Sequence, residues 1–166
     1  GSLQYARGFS RGRRVTKKED PMNRLYVAES RLSLTGSMAD HRLRVSPSQV
    51  NAVAAQIARG LGVNAGVAIV SPALSDPKQV AWVAALVEDL KEHSGKSLVL
   101  AGSRQSLAVH LLAHAINTAL GNIGEGKPLL AVQTGTAGLG NLAALKADIE
   151  SKTVDTLVIL TPSNPV

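Results

Sequence analysis

Ser97-Leu-Val-Leu-Ala101, Gly102-Ser103, the apolar run from about Gln105 to Leu120 and the stop Gly121-Asn122 form the stretch whose reading decides the fold. The first five residues are a short apolar strand signal and Gly102-Ser103 is a tight turn. The run that follows is too long for a strand and carries helical spacing, with glycine and asparagine at its end. Leu129-Leu-Ala-Val132 then reads as a second strand. Asn141 to Ser151 reads as a helix, and Thr156-Leu-Val-Ile-Leu160 as a further strand. These strands are unbroken apolar runs rather than alternating ones, the pattern of strands covered on both faces. Strand, helix, strand in repetition predicts a parallel sheet of the doubly wound kind.

Working outward toward the amino end, Asp76-Pro77 is an N-cap followed by proline at the first helical position. Val80, Val83, Ala84, Val87 and Leu90 form the stripe of the helix it opens, and Gly95 stops it. Ser46-Pro47 repeats the signature before Val50, Val53, Ala54, Ile57, Ala58 and Leu61. Residues 63–75 have no clear period and read as a loop with one extended patch, Val67-Ala-Ile-Val70. Arg24-Leu-Tyr-Val-Ala28 reads as a buried strand. Residues 31–45 read as an irregular connection ending in the extended piece Leu43-Arg-Val45. The expected architecture is therefore α/β: a Rossmann-like, doubly wound, mainly parallel sheet with helices on both faces, over residues 23–166. The stop at Pro165-Val166, almost directly after a strand, reads as a domain cut short at its carboxyl end.

Composition narrows the chemistry. The hydrophobic fraction is 45% but the aromatic fraction only 2%, so the core must be built from small aliphatic side chains. Nothing approaches the roughly 18 uninterrupted apolar residues of a membrane span, and a soluble domain is expected. The absence of Cys removes thiolate ligands for an iron–sulfur cluster, disulfides and a Cys nucleophile from this chain. The net charge of +6 is concentrated at one end. Residues 1–20 carry Arg7, Arg11, Arg13, Arg14, Lys17 and Lys18 against Glu19 and Asp20, a net of +4 that leaves +2 for the rest. Residues 1–22 read as a basic arm or linker that could meet phosphate or anionic lipid, or lie solvated. Arg13-Arg14 is not read as a twin-arginine leader, because Thr16-Lys-Lys-Glu-Asp20 stands where an apolar stretch belongs. With a nearly neutral body and one Trp, two Tyr and one Phe, no nucleic-acid partner is expected.

Candidate reactive groups are sparse. His110 and His114 have the four-residue spacing that can place two imidazoles on one metal, but no third ligand follows, and the apolar helix around them favours ordinary packing or hydrogen bonding. Gly102-Ser103-Arg104 and the Gly135–Gly140 loop each lie between a strand and a helix, where backbone N–H groups can receive phosphate, yet neither has the full dinucleotide fingerprint. Glu29, Asp40, His41 and Asp155 are the ionisable groups nearest strand ends, with no triad order or carboxylate pair among them. The residues by themselves predict a binding or scaffold domain with no catalytic residue and no metal site.

Several segments resemble the molybdopterin oxidoreductases, whose catalytic subunits bind a bis-pterin guanine dinucleotide. Leu25-Tyr-Val-Ala28 with Glu29-Ser30, then Ala39-Asp40-His41-Arg-Leu-Arg-Val45 and Ser46-Pro47, is similar to that family's nucleotide-binding passage. Ala115-Ile-Asn117, Leu120-Gly-Asn-Ile-Gly124 and Lys127-Pro128 resemble its recurrent Leu-Asn, Gly-Asn-Ile-Gly and Pro segment, and Thr156–Leu160 with Asn164-Pro165 its strand followed by Asn-Pro. The most specific stretch, Leu34-Thr-Gly-Ser-Met-Ala-Asp-His-Arg-Leu-Arg-Val45, resembles a narrower branch, the large iron–sulfur subunit of alternative complex III, a membrane quinol oxidoreductase.

The resemblance implies a cofactor-binding passage at Glu29, Ser30, Asp40, Pro47, Ser48 and Asn164. It also implies a departure from it. Where the family has Asp-Pro-Arg, this chain has Glu29-Ser30-Arg31. Where it has Pro-Gly-Thr-Asp, this chain has Pro47-Ser48-Gln49-Val50. Val50 removes a carboxylate acceptor for guanine, and Ser48 a glycine that permits close approach. A vestigial pocket is expected, with no cofactor in this chain and iron–sulfur clusters elsewhere in the parent. The implied function is a non-catalytic scaffold and docking domain. Its partners would be the cluster-bearing half of the same chain and other subunits of a membrane respiratory complex, on the periplasmic face and without direct membrane insertion. The alternatives are a catalytic subunit that still binds molybdopterin guanine dinucleotide, and a free-standing nucleotide-binding module.

Overall fold

The computed structural model describes residues 3–66, 73–132 and 140–159. Contacts divide the chain into two units, Gly1–Ala131 and Val132–Val166. In the first unit, helix α1 (Leu3–Arg11) is followed by strand β1 (Tyr26–Glu29), a single-turn helix α2 (Leu34–Ser37) and strand β2 (His41–Arg44). A 3-10 turn (Pro47–Gln49) leads into α3 (Val50–Gly60), and α4 (Pro77–Glu92) and α5 (Leu107–Ala119) complete the unit. The second unit holds α6 (Leu142–Glu150), capped by the Asn141 side chain, which accepts from the backbone N–H of Ala144.

The helices begin where the capping chemistry places them. Asp76 accepts from the Lys78 N–H at 2.9 Å, with Pro77 at the first helical position. At Ser46 the Gln49 side chain accepts from the Ser46 N–H at 3.1 Å, closing a capping box before the 3-10 turn.

β1 and β2 are parallel, with Tyr26 opposite His41 and Glu29 opposite Arg44. One face of this pair is apolar. Ala28 and the buried Leu43 join Val45, Val53, Ile57, Val83, Val87, Leu112 and Ile116 in one core built from α3, α4 and α5. The aliphatic composition is used directly: Gly60 lets α3 approach α4 so closely that an added Cβ would lie 2.8 Å from a Val87 methyl. The opposite face of the pair carries Glu29, Arg42 and Arg44, which suits solvent and not a second helical layer.

This corrects part of the expected architecture. A mixed helix and strand chain with a parallel pair is present, but among the described residues the pair is two-stranded. Ser97–Ala101, expected as a strand, alternates in exposure along its length without ladder pairing. The reason lies in Asn117, on α5: its amide accepts from the Val99 N–H at 3.0 Å and donates to the Val99 carbonyl at 2.7 Å. A side chain thus takes both backbone groups that a neighbouring strand would have used. Leu129–Val132 is reduced to one parallel bridge, Ile123 to Leu129. Residues 156–159 form no strand. The expected extended patch at 67–70 and the glycine loop beginning at Gly135 fall on residues outside those described, apart from Gly140.

Asn117 belongs to a larger buried network. Its amide also donates to the Ala113 carbonyl at 2.8 Å and accepts from Asn122 at 3.2 Å, while Asn122 donates to Ser97 Oγ at 3.0 Å. Asn122 is wholly buried and Asn117 is 2% exposed. The Leu129 N–H donates to the Asn122 carbonyl, and Gly95 and Ser94 both donate to the Leu120 carbonyl. Two amides therefore join the end of α5, the 94–101 segment and the 120–129 loop. The Asn117 and Gly121-Asn122-Ile-Gly124 segments singled out in the sequence have this structural use.

Candidate functional site

The two parallel strands have a carboxyl edge, where α/β proteins place their ligands, and an amino edge. The expected site residues divide between them. Glu29 and Ser30 end β1 at the carboxyl edge and Pro47 and Ser48 follow the end of β2, where the Val45 N–H donates to the Glu29 carbonyl at 3.1 Å and carries the end of β2 alongside the end of β1. Asp40 precedes β2 and lies at the amino edge, where its own N–H donates to the Leu25 carbonyl at 3.0 Å. Four residues of strand separate the backbone at Asp40 from the level of Glu29, about 13 Å at the rise of an extended chain. Among the expected cofactor-binding residues, Asp40 therefore stands at the opposite end of the strands from Glu29. Asn164 lies outside the described residues.

At the carboxyl edge, the Glu29 carboxylate is turned inward. Arg42 Nε donates to Oε1 at 2.6 Å, Ser33 Oγ donates to Oε2 at 2.6 Å, and the Ser33 N–H approaches Oε1 at 3.3 Å. Ser33 in turn caps α2 by accepting from the Gly36 N–H at 3.0 Å. Gly36 is buried against this group, and a Cβ there would overlap the Glu29 carboxylate. The Arg42 hydrogen bond, followed by that of Ser33, holds the Glu29 carboxyl below its ordinary range. Three donors thus engage an acid at the end of a parallel strand. Ser30, Pro47 and Ser48 are exposed. Ser46 and Ser48 hydroxyls lie 2.9 Å apart, and Ser106 at the start of α5 donates to Asn51 at 3.1 Å. The result is a shallow polar rim. The hollow against Ala55, Arg59, Val63 and Leu112 is built around the other end of α3.

At the amino edge, Arg13 forms a two-pronged pair with Asp40, at 2.7 and 2.6 Å, and also donates to the Asn23 carbonyl at 2.7 Å. The Leu25 N–H adds a bond to Asp40 at 2.8 Å. Arg13, then the backbone donor, holds the Asp40 carboxyl far below the usual carboxylate range. Beside this pair, Tyr26 stacks on His41 with ring centres 4.5 Å apart and meets the edge of Trp82 at 5.6 Å. Arg24 reaches across to α4, with Nε 2.8 Å from Asp89. Burial tends to raise the Asp89 pKa, but hydrogen bonds from Arg24 and Tyr26 outweigh it and the carboxyl is lowered. Sequence reasoning assigned Arg13 to a terminal arm and missed this edge. A single Trp and an Arg ten residues before a strand carry no local signal of their meeting.

Asp89, Glu92 and His93 bring three potential metal-ligating atoms within 4.8 Å of one another. Both Asp89 oxygens are engaged by Arg24, whose positive charge opposes a cation. His93 Nδ1 is 2.9 Å from the Asp89 carbonyl. This is an ion-pair network closing α4. His110 and His114 both lie on the exposed side of α5, so the packing expected of them is corrected. Gly102-Ser103-Arg104 forms an exposed turn before α5, closed by the Gln105 N–H on the Gly102 carbonyl at 2.9 Å.

Against known proteins, no family model matches the chain and no curated protein is similar to it at a significant level. Among the described residues no helix is long and apolar enough to cross a membrane.

Proposed function

We propose that this chain is a non-catalytic scaffold and docking domain of the iron–sulfur subunit of a membrane-associated quinol oxidoreductase, in which clusters elsewhere in the parent carry the electrons. The observation that carries the reading is the inward-turned carboxylate at the end of β1. In the molybdopterin oxidoreductases, which the Leu25–Ser30 passage resembles, this position serves a nucleotide; here Glu29 is tied to Arg42 and Ser33 and screened by Gly36. The replacement of the guanine-binding acid by Val50 acts in the same direction. A docking role is favoured by apolar side chains facing outward. Leu98 and Leu100 are 46% and 74% exposed on either side of the half-buried Val99, and Leu130 is 69% exposed. A layer of such residues has a free-energy reason to be covered.

A full Rossmann-like sheet with helices on both faces is the architecture this reading implies for the parent, and the periplasmic face of the membrane its location. The parent complex, assembled with residues 23–166 deleted, is expected to lose the iron–sulfur subunit from the purified assembly. An intact and active complex would sink the proposal. Calorimetric titration of this chain with GMP and GDP is expected to give no saturable heat up to millimolar nucleotide. A saturable signal that disappears in Ser48→Trp would instead support the second reading, a domain that binds molybdopterin guanine dinucleotide.

A further inference from the structure

Helix α1 has no buried residue. Its side chains are nevertheless sorted. Leu3, Ala6 and Phe9 recur at three-residue intervals with Tyr5 beside Phe9, while Gln4, Arg7 and Arg11 follow at three and four. At 100° per residue Tyr5 and Ala6 flank Phe9 on the side opposite Arg7 and Arg11, and Leu3 lies at the margin between the two sides, one turn before Arg7. Leu3 is 88% and Tyr5 78% exposed, so the apolar side is not explained by packing within the unit.

The root of the helix is fixed. Arg13 lies over the Phe9 ring at 5.2 Å and is clamped by Asp40 and the Asn23 carbonyl, and the Asn23 N–H donates to the Gly12 carbonyl at 2.9 Å. Asp20 is also spent locally, accepting from the Thr16 N–H, the Thr16 hydroxyl and the Lys17 N–H at 2.7 to 2.8 Å. What remains on the surface is strongly positive: Arg7, Arg11, Arg14, Lys17 and Lys18 are all exposed, against the one exposed acid Glu19. A short helix with an apolar side, flanked by exposed cations and anchored at one end, has the two signals of a peripheral lipid-binding element. Apolar area enters the acyl boundary while the cations reach headgroup phosphates.

From this sorting we infer that α1 and the 14–18 segment form a docking surface for an anionic phospholipid membrane. The helix lies in the plane of the interface, with Tyr5 and Phe9 shallowly immersed, Leu3 at the edge of the immersed side and Arg7 and Arg11 at the headgroups. A nucleic acid would meet the arginine side and leave Leu3 and Tyr5 in water, so the charge and the apolar side together favour lipid. The inference goes beyond the scaffold reading and does not depend on it. The contact is superficial and requires no membrane span.

The test is flotation of the whole chain with vesicles of phosphatidylcholine alone and of phosphatidylcholine with an equal share of phosphatidylglycerol, repeated at high salt. Binding is expected on the anionic vesicles only, weakening as salt rises. The double variant Arg7→Gln/Arg11→Gln should bind about thirtyfold more weakly, at roughly a tenfold loss or less per charge. Leu3→Ser/Tyr5→Ser should also lose most binding, and Lys146→Gln on α6 none. Unaltered thermal unfolding of each variant separates a lost surface from a lost fold. Failure to float with anionic vesicles overturns the inference. So does retention of a duplex DNA oligonucleotide in place of the vesicles, or full binding by the Leu3→Ser/Tyr5→Ser protein. A non-assembling parent complex with normal vesicle binding would break the scaffold reading alone.

Discussion

The carboxyl end of α5 and the outer side of the β1–β2 pair are both held by polar side chains, in opposite physical regimes. Around α5 the groups are neutral amides, Asn117 and Asn122, shut away from water and bonded to the backbone of Val99 and Ala113, to the Ser97 hydroxyl and to each other. On the strand pair the groups are ions that water still reaches in part, Arg13 with Asp40 and Arg42 with Glu29, their side chains 14–27% exposed. The difference teaches that burial, more than formal charge, decides what a polar contact is worth. An exposed ion pair exchanges water contacts for protein contacts of similar strength, whereas removing one buried amide strands its partners with nothing to replace it.

The largest effect should therefore come from a neutral residue. Asn117→Leu, close in volume, leaves the Val99 N–H and carbonyl and one Asn122 donor without partners, and should cost about 2–4 kcal/mol in urea unfolding. A loss under about 0.5 kcal/mol would show that the 97–101 segment is not held by this side chain. Next comes Gly36→Ala, whose added methyl must displace the Glu29 carboxylate. It should destabilise the protein by about 1 kcal/mol or more, and by clearly less in a Glu29→Ala background. Equal losses in the two backgrounds would mean that the close approach does not matter.

Smaller still, Asp40→Asn should lower the melting temperature by a few degrees, read through the single Trp82, which packs on Tyr26 at that edge. Paired with Arg13→Gln, the two losses should be less than additive. The pH dependence sharpens the same contrast. Asp40 and Glu29 titrate lower folded than unfolded, so their stabilisation is complete above the unfolded values near 3.8 and 4.5 and is lost as pH falls through the lowered folded values. Acid unfolding below about pH 4 should become shallower in Asp40→Asn, while the deficit of Asn117→Leu should stay constant across the same range. A pH-dependent deficit in Asn117→Leu would contradict the division into neutral and ionic regions.

Local signals were legible where they act over a few residues. The proline-led caps at Asp76-Pro77 and Ser46-Pro47 and the glycine stops placed α3, α4 and α5 nearly as found, and the apolar run at 24–28 marked β1 within two residues. Ladder pairing was not legible, because an apolar five-residue run shows readiness to pair and not whether a neighbour arrives. At Val99 the place of that neighbour is taken by an asparagine eighteen residues later. The candidate site divided in the same way. Strand-end position was legible for Glu29, Ser30, Pro47 and Ser48, which end or follow β1 and β2, but not for Asp40, which precedes β2, since which end of a parallel pair a residue occupies depends on the direction of the crossover.

The sequence by itself determined the aliphatic core, the absence of thiolate chemistry in this chain and the concentration of positive charge in its first twenty residues, because composition and short-range spacing suffice for these. Only the tertiary structure decided that Arg13 leaves that basic segment to clamp Asp40, that Glu29 spends its carboxylate on Arg42 and Ser33, and that two asparagines stitch the end of α5 to its surroundings. Those outcomes rest on hydrogen bonds between residues distant in the chain. Their partners are selected by the geometry of packing, which no local pattern encodes.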